Sequence, residues 1–396
     1  MKQVCIYCGN NPVPHRIYWY NETLNIFLTP LRQSILYNPL TQVFAVKKVG
    51  QKFLQMLIRV GERLKLVTWQ TDKAKCKVRR AQVMWEEAEN RAIVMREMLL
   101  FGRPIDCYEA KSASSKTIIF SGLPRPEGYL NKWLDLMDDK WLFKKKLAEN
   151  NLPVPAGGAA WTFSQAKKIF KKLEASGSLP AIVKPRAGSR GRHSTTYVST
   201  PAELKAAYKV AKQLCFWVII EQQLKGPVYR ATVIDFQLSG VLRGDSPQVV
   251  GDGQHTIKEL ADIKNSLPHP GVKNIQTGDQ ENIFLARQKL MLNSVLPVGK
   301  TVSLSEKIGV NYGGSSSEDY SLCHPDNKEL FVRAAKILGD PLVGFDFIIP
   351  DVAKSFKEQL CGFIEVNSLP FINLHHDPLL GKPQNVAARV WQMVGM

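Results

Sequence analysis

The stretch GFIEVNSLPFINLHH, residues 362–376, sets Glu365 and Asn367 two positions apart inside an otherwise apolar run. Side chains at i and i+2 of a strand share a face, so Phe363, Glu365 and Asn367 are expected on one side and Ile364 and Val366 on the other. Upstream, LVGFDFII carries Asp346 in a second apolar strand, and the polar connection PDVAKSFKEQL between them suits a return of the chain. If the strands pair, Asp346, Glu365 and Asn367 line one pocket. Such oxygen donors suit Mg2+, which favours carboxylates, keeps several waters and shares its remaining positions with phosphate oxygens. The plainer alternative is a polar pair that caps neighbouring loops, so the metal reading calls for a phosphate site elsewhere in the chain.

The loop RAGSRGR, residues 186–192, offers one. Gly188 and Gly191 let backbone amides approach an anion, three arginines add charge, and Lys184 stands just before the loop at a strand end. Neither the P-loop nor the dinucleotide-binding spacing is present, and a simple hairpin turn is the alternative.

The elements around this loop alternate. DDKWLFKKKLAENNLPVP reads as a helix opened by acids and closed before an extended Pro-containing segment. LPAIVKP and HSTTYVST read as strands, and FWVIIEQQL as another. TPAELKAAYKVAKQL reads as a helix with Thr200 as N-cap, Pro201 at the first position and Glu203 completing a capping box. The order is that of an α+β unit rather than a doubly wound one.

Taken together, Lys140 in MDDKWLF, Lys184 in IVKP, the Gly loop, IIEQQLKG, the Asp of GFDF and EVN resemble the ATP-grasp fold in order and spacing. VYRATVI, VVGDGQHTIKEL, NYGGSSSEDYS, HPDN, FIEVNSLPFINLHHDP and GKPQNVA resemble, more closely, the ATP-grasp module of cyanophycin synthetases. The resemblance runs from about residue 130 to 396, leaves out the N-terminal third, and is not expected to extend to the Mur-ligase-like half that cyanophycin synthetases carry.

This resemblance implies two α+β subdomains gripping ATP: a lid of about residues 138–220 and a metal and carboxylate subdomain of about 221–396, within an ATP-grasp domain of 126–396. It implies an ADP-forming carboxylate–amine ligase of the acid–amino-acid type, with ATP and two Mg2+ ions, Mn2+ being a substitute. Lys140 and Lys184 are expected on the α- and β-phosphates, and Gly188, Ser189, Arg190 and Gly191 over them as a lid. Glu221 and Leu224 are expected at the adenine, and Arg230 and Arg243 at the γ-phosphate and acyl phosphate. Asn311, with Gly313 and Gly314, is expected to position the carboxylate, and Asp346, Glu365 and Asn367 to hold the metals. Two departures stand out. Val228 occupies the place of the acid that usually binds the ribose hydroxyls, and GRHS replaces the usual GRGV, bringing His193 near the phosphates, where a surface-loop role is preferred to a catalytic one.

The remaining third, residues 1–125, is basic and bears both Trp and Tyr. The chain has 396 residues, room for two or three domains, and a formal net charge of +18. Half of that charge lies between Lys47 and Arg80, where eleven Lys or Arg face only Glu62 and Asp72. Phe53, Met56, Leu57, Val60 and Leu64 recur at helical spacing, so the plain expectation is a solvated helix with its stripe on the core. The alternative is an anionic partner, a lipid surface or acidic polymer, with nucleic acid last for want of any known module. Cys5 and Cys8 form a CxxC, but no second CxxC follows and His15 alone is a poor complement, so VCIYC is expected as the first strand. Seven scattered cysteines and no apolar run of membrane-spanning length suggest a cytoplasmic protein. The substrates expected are a small-molecule, peptide or glycan carboxylate and an amine, and self-association is compatible with the sequence. A kinase, or a non-catalytic nucleotide-binding protein of the same fold held on an anionic surface, is the competing reading.

Overall fold

The computed structural model describes residues 5, 7–8, 12–36, 49–126, 137, 139–188, 191–267 and 271–396. Strands β1 (Val67–Gln70), β2 (Val94–Leu100), β3 (Arg103–Lys111) and β4 (Thr117–Ser121) form an antiparallel meander. The helix Arg79–Asn90 buries Ala81, Met84, Trp85 and Ala88 at i, i+3, i+4 and i+7 against it. That core is shared with the C-terminal helix Val386–Met393, whose Trp391 is fully buried and donates its indole N–H to the Met84 carbonyl at 2.9 Å.

A second sheet comprises β5 (Gly157–Ala160), β6 (Ala181–Pro185), β7 (Thr195–Val198) and β8 (Val218–Gln222), all antiparallel in the order β5-β8-β6-β7. Two helices cover it, Phe163–Ala175 and Pro201–Lys212, each opened by a capping box, Thr162/Gln165 and Thr200/Glu203. The second box is the one expected from sequence. Phe170, Leu173, Leu204 and Ala211 from these helices pack on Val183, Val218 and Ile220.

Strands β9 (Val228–Ile234), β10 (Gln237–Gly244), β11 (Gln248–Val250), β12 (Thr301–Ser303), β13 (Ser316–Glu318), β14 (Leu342–Ile348), β15 (Gly362–Asn367) and β16 (Leu380–Gly381) follow. Six make the sheet β15-β14-β9-β10-β13-β16, while β11 and β12 pair separately. The helix Pro325–Leu338 packs Leu330, Phe331, Ala334 and Leu338 onto one face of the large sheet, against Phe345, Phe347 and Phe363. Alternation is interrupted in β15. Asp346 lies opposite Glu365 but Phe347 lies opposite Phe363, so Ile364 is the extra residue of a β-bulge. The bulge turns Phe363 into the same core as Val366, correcting the expectation that Phe363 shares a face with Glu365.

The helix His15–Leu36 packs beside β8, where Phe27 meets Trp217 at 4.8 Å and Trp19 meets Phe216 at 6.2 Å between ring centroids. The basic segment is less helical than expected: its helix is Val49–Arg63, followed by β1 and a short turn, and Arg79 begins the next helix. The stripe is not on the core either. Met56, Leu57, Val60 and Leu64 are 44–62% exposed, while Gly61 is the residue that sits against Val67. Phe53 lies outside the described side chains. Arg79, rather than facing solvent freely, holds Asp377 with two bonds of 2.8 and 2.9 Å and Glu86 with one of 2.7 Å. Among the described residues, no helix is long and apolar enough to cross a membrane.

Candidate active site

Strand pairing builds the acidic face. Arg230 on β9 lies directly opposite Asp346 on β14, which in turn lies opposite Glu365 on β15, so three charges form a row across three strands. Arg230 grips Asp346 with two bonds, 2.9 Å from Nε and 3.1 Å from Nη2. Asn367 lies opposite Gly344, on the same face as Glu365. Burial opposes the Arg230 charge, yet Asp346 and Glu365 outweigh it and raise its pKa.

Lys140 joins this face to the loop. Its ammonium lies 3.3 Å from Glu365 and donates to the carbonyl of Gly188. Burial acts to raise the Glu365 pKa, but Lys140, Lys184 and Arg230 more than offset it and hold the carboxyl below its usual range. Burial likewise acts against the Lys140 charge, with Glu365 the larger force in the opposite direction, so its pKa is raised.

Glu221, buried on β8, is clasped by two ammonium groups, those of Lys184 and Lys144. Burial pushes its pKa up and the two lysines overcome that effect, leaving it lowered. Lys144 bears the cost: burial first, then repulsion from Lys184 and Lys140, brings it down to about 7 despite Glu221. Leu224, just past this strand, is buried. Lys144 was not singled out from sequence; its only trace there is the four-residue helical spacing from Lys140.

The loop itself is only partly anion-facing. Arg186, expected to add charge toward an anion, is instead buried and spent on a bidentate pair with Asp139, at 2.6 to 3.0 Å. Gly188 and Gly191 have φ of 114° and 63°, the left-handed region that favours glycine, and a Cβ at Gly188 would stand 3.2 Å from the Tyr18 hydroxyl. Ser189 and Arg190 lie outside the described residues. The strand after the loop, β7, reaches beyond its own sheet: Thr196 donates to Glu306 at 3.3 Å and the Tyr197 ring meets that of Phe284 edge to face at 5.9 Å.

Arg243 and Asn311 fall in a separate group. Register sets Arg243 opposite Tyr229, hence on the other face from Arg230, and it pairs with Asp245 at 3.0 Å. The turn Val310–Tyr312 carries an exposed Asn311 and packs on Asp245, whose carbonyl accepts from the Gly309 amide at 2.9 Å. Gly314 is required by that packing, since a Cβ would lie 2.1 Å from the same carbonyl oxygen.

His193 is fully buried, not a surface residue, and VCIYC is not a strand at Cys5, Tyr7 or Cys8, where Tyr7 and Cys8 form a turn. Both corrections have one cause. Cys5, Cys8, His15 and His193 converge, their donor atoms all within 4.8 Å of one another, and among the described residues this is the only such cluster of three or more His, Cys, Asp or Glu. The CxxC and His15 were legible; the fourth member, 188 residues from Cys5, was not.

No family model matches the chain. Cyanophycin synthetase of Crocosphaera subtropica is 31% identical over 269 residues, 66% of this chain and 30% of that protein. The bifunctional glutathione biosynthesis protein of Clostridium perfringens is 28% identical over 270 residues, 65% of this chain and 34% of the relative. Of solved structures, a bifunctional glutathione synthetase from Pasteurella multocida is similar at 24% identity and a TM-score of 0.47, covering 80% of this chain and 44% of that one. The chain thus spans about a third of the length of the curated relatives it matches. It is similar in sequence to the cyanophycin synthetases, and its helices and mainly antiparallel sheets make an α+β arrangement.

Proposed function

We propose that the chain is an ATP- and Mg2+-dependent ligase that activates a carboxylate as an acyl phosphate and joins it to an amine. One observation carries this reading: Lys140 binds both the Gly188 carbonyl and Glu365, so the glycine loop and the acidic strand pair belong to one site at the junction of the two subdomains. The donor set fits a hard cation, since Glu365 is held ionised and its neighbours Asp346 and Asn367 can each present an oxygen ligand. Asp346, Glu365 and Asn367 would hold Mg2+, which supplies positive charge against the phosphates.

The chain's own residues do the rest. Lys140 and Lys184 bind the α- and β-phosphates; Gly188 to Gly191 close over them; Glu221 and Leu224 border the adenine. A carboxylate oxygen of the substrate attacks the γ-phosphorus, the β–γ bridging bond breaks, and ADP leaves. Arg230 offsets charge on the transferring phosphoryl group. The amine nitrogen then attacks the acyl carbon and inorganic phosphate departs with the C–O bond electrons. An amino acid, peptide or other acidic acceptor is the class we favour. The exposed stripe of Met56, Leu57 and Val60 on a basic helix supports attachment to an anionic surface.

Hydroxylamine tests the reaction. With ATP and a panel of amino acids and acidic peptides, the matching acid should yield a hydroxamate together with ADP. A stable phosphorylated product without hydroxamate would make the chain a kinase.

A further inference from the structure

We propose that Cys5, Cys8, His15 and His193 hold one Zn2+, which pins the glycine loop of the lid to the N-terminal segment. The donor atoms already stand at the spacing of a metal site. The sulfur of Cys8 lies 3.2 Å from His15 Nε2 and 3.5 Å from His193 Nε2, and the sulfur of Cys5 lies 3.5 Å from His193 Nε2. A tetrahedral site with Zn–S of about 2.3 Å and Zn–N of about 2.0 Å separates sulfur from nitrogen by about 3.5 Å. Two sulfurs and two imidazole nitrogens in that arrangement favour zinc over the harder divalent ions, which take oxygen.

The surroundings prepare the ligands. Nδ1 of His193 lies 2.8 Å from the Val210 carbonyl, so that nitrogen carries the proton and donates it, and the lone pair of Nε2 points at both sulfurs. The His193 backbone N–H donates to the Tyr7 carbonyl at 3.0 Å, and the Cys8 N–H to the Cys5 carbonyl at 3.1 Å, so the CxxC turn is seated on the lid through backbone bonds as well. His193 and Cys8 are buried, and the two histidine rings meet edge to face at 4.7 Å. An ion here closes a link between residue 5 and residue 193, two positions after Gly191. It also fixes the start of the helix His15–Leu36, whose Tyr18 stands over Gly188. Metal-bound, the loop and that helix move as one body.

The test uses the full chain, purified without added metal and then titrated with Zn2+ or Co2+ in competition with a chromophoric chelator. We expect one equivalent bound, X-ray absorption showing two sulfur and two nitrogen neighbours, and for Co2+ the visible bands of a tetrahedral ion with thiolate charge transfer. Cys5→Ser, Cys8→Ser and His15→Ala should each weaken binding at least tenfold, whereas Cys107→Ser and Cys215→Ser should not. Hydrogen exchange of residues 186–194 and 12–20 should rise together when the metal is removed. Sub-stoichiometric binding, an oxygen-rich or octahedral spectrum, or affinity unchanged in the Cys5→Ser, Cys8→Ser double variant would each overturn the proposal. The spectra of the wild-type chain decide the matter even if a variant fails to fold. None of these readouts depends on ligase activity.

Discussion

Arg230 and Asp346 face each other across neighbouring central strands and close on one another with two hydrogen bonds, of 2.9 and 3.1 Å. The Arg230 side chain is 20% exposed and that of Asp346 11%, so neither charge is free to be rehydrated. Glu365, on the next strand, is 29% exposed and pairs with Lys140 instead.

Replacing the two acids should therefore separate stability from chemistry. Asp346→Ala leaves a buried guanidinium without its partner and should cost about 3–5 kcal/mol in denaturant unfolding. Glu365→Gln should leave the unfolding midpoint nearly unchanged while ADP formation falls at least a hundredfold. Near-native turnover of Glu365→Gln at saturating Mg2+ would remove Glu365 from the metal set.

In the proposed ligase, Lys144 should make nucleotide binding a proton-linked event. It is brought down to about 7 in the folded protein, against about 10.4 for an unperturbed lysine. Between those values the unfolded chain binds more protons than the folded one, so this residue's contribution to stability rises with pH across that window and is flat outside it. A polyphosphate arriving beside Lys144, Lys184 and Lys140 restores the charged form, so ATP binding near pH 8 should take up a proton and near pH 6 should not. Calorimetry in buffers of different ionisation enthalpy measures this uptake, and Lys144→Met should abolish it.

Gly240 is tied to a buried network. His375 Nδ1 lies 2.6 Å from Glu318 and its Nε2 2.7 Å from the Thr232 hydroxyl, and a Cβ at Gly240 would stand 2.4 Å from His375 Nδ1. Gly240→Ala should destabilise the protein by about 1–3 kcal/mol or more through overpacking, read as a lower unfolding midpoint. Unchanged stability would mean that the ring has room to turn away.

For the basic helix, the outcome depends on salt. Sedimentation with vesicles containing anionic lipid should be strong at low ionic strength and weaken as the Debye length falls to about 8 Å, near 0.15 M. Arg59→Glu with Arg63→Glu should weaken it, as should Met56→Glu with Val60→Glu, with little effect on stability because all four side chains are exposed. Equal sedimentation of wild type and variants would dissociate the helix from any such surface.

The sequence by itself determined the local units. The Thr200 capping box, the Lys184 strand with its glycine loop, and the β14–β15 pair carrying Asp346, Glu365 and Asn367 depend on periods of two and 3.6 residues and on turn chemistry, all readable within a few positions. The same local rules failed where one extra residue, Ile364, shifted the face of Phe363, because a bulge leaves no mark in residue type. Only the tertiary structure decided which charges meet. Arg186 is consumed by Asp139, Lys144 reaches Glu221 across 77 residues, and Arg243 is turned by strand register to the face opposite Arg230. It also decided that the CxxC near the N-terminus has a second histidine partner, and that a helix stripe which reads as core is left in solvent. Pairings of that kind rest on how distant elements pack, and the energy that selects them belongs to the whole fold rather than to any window of sequence.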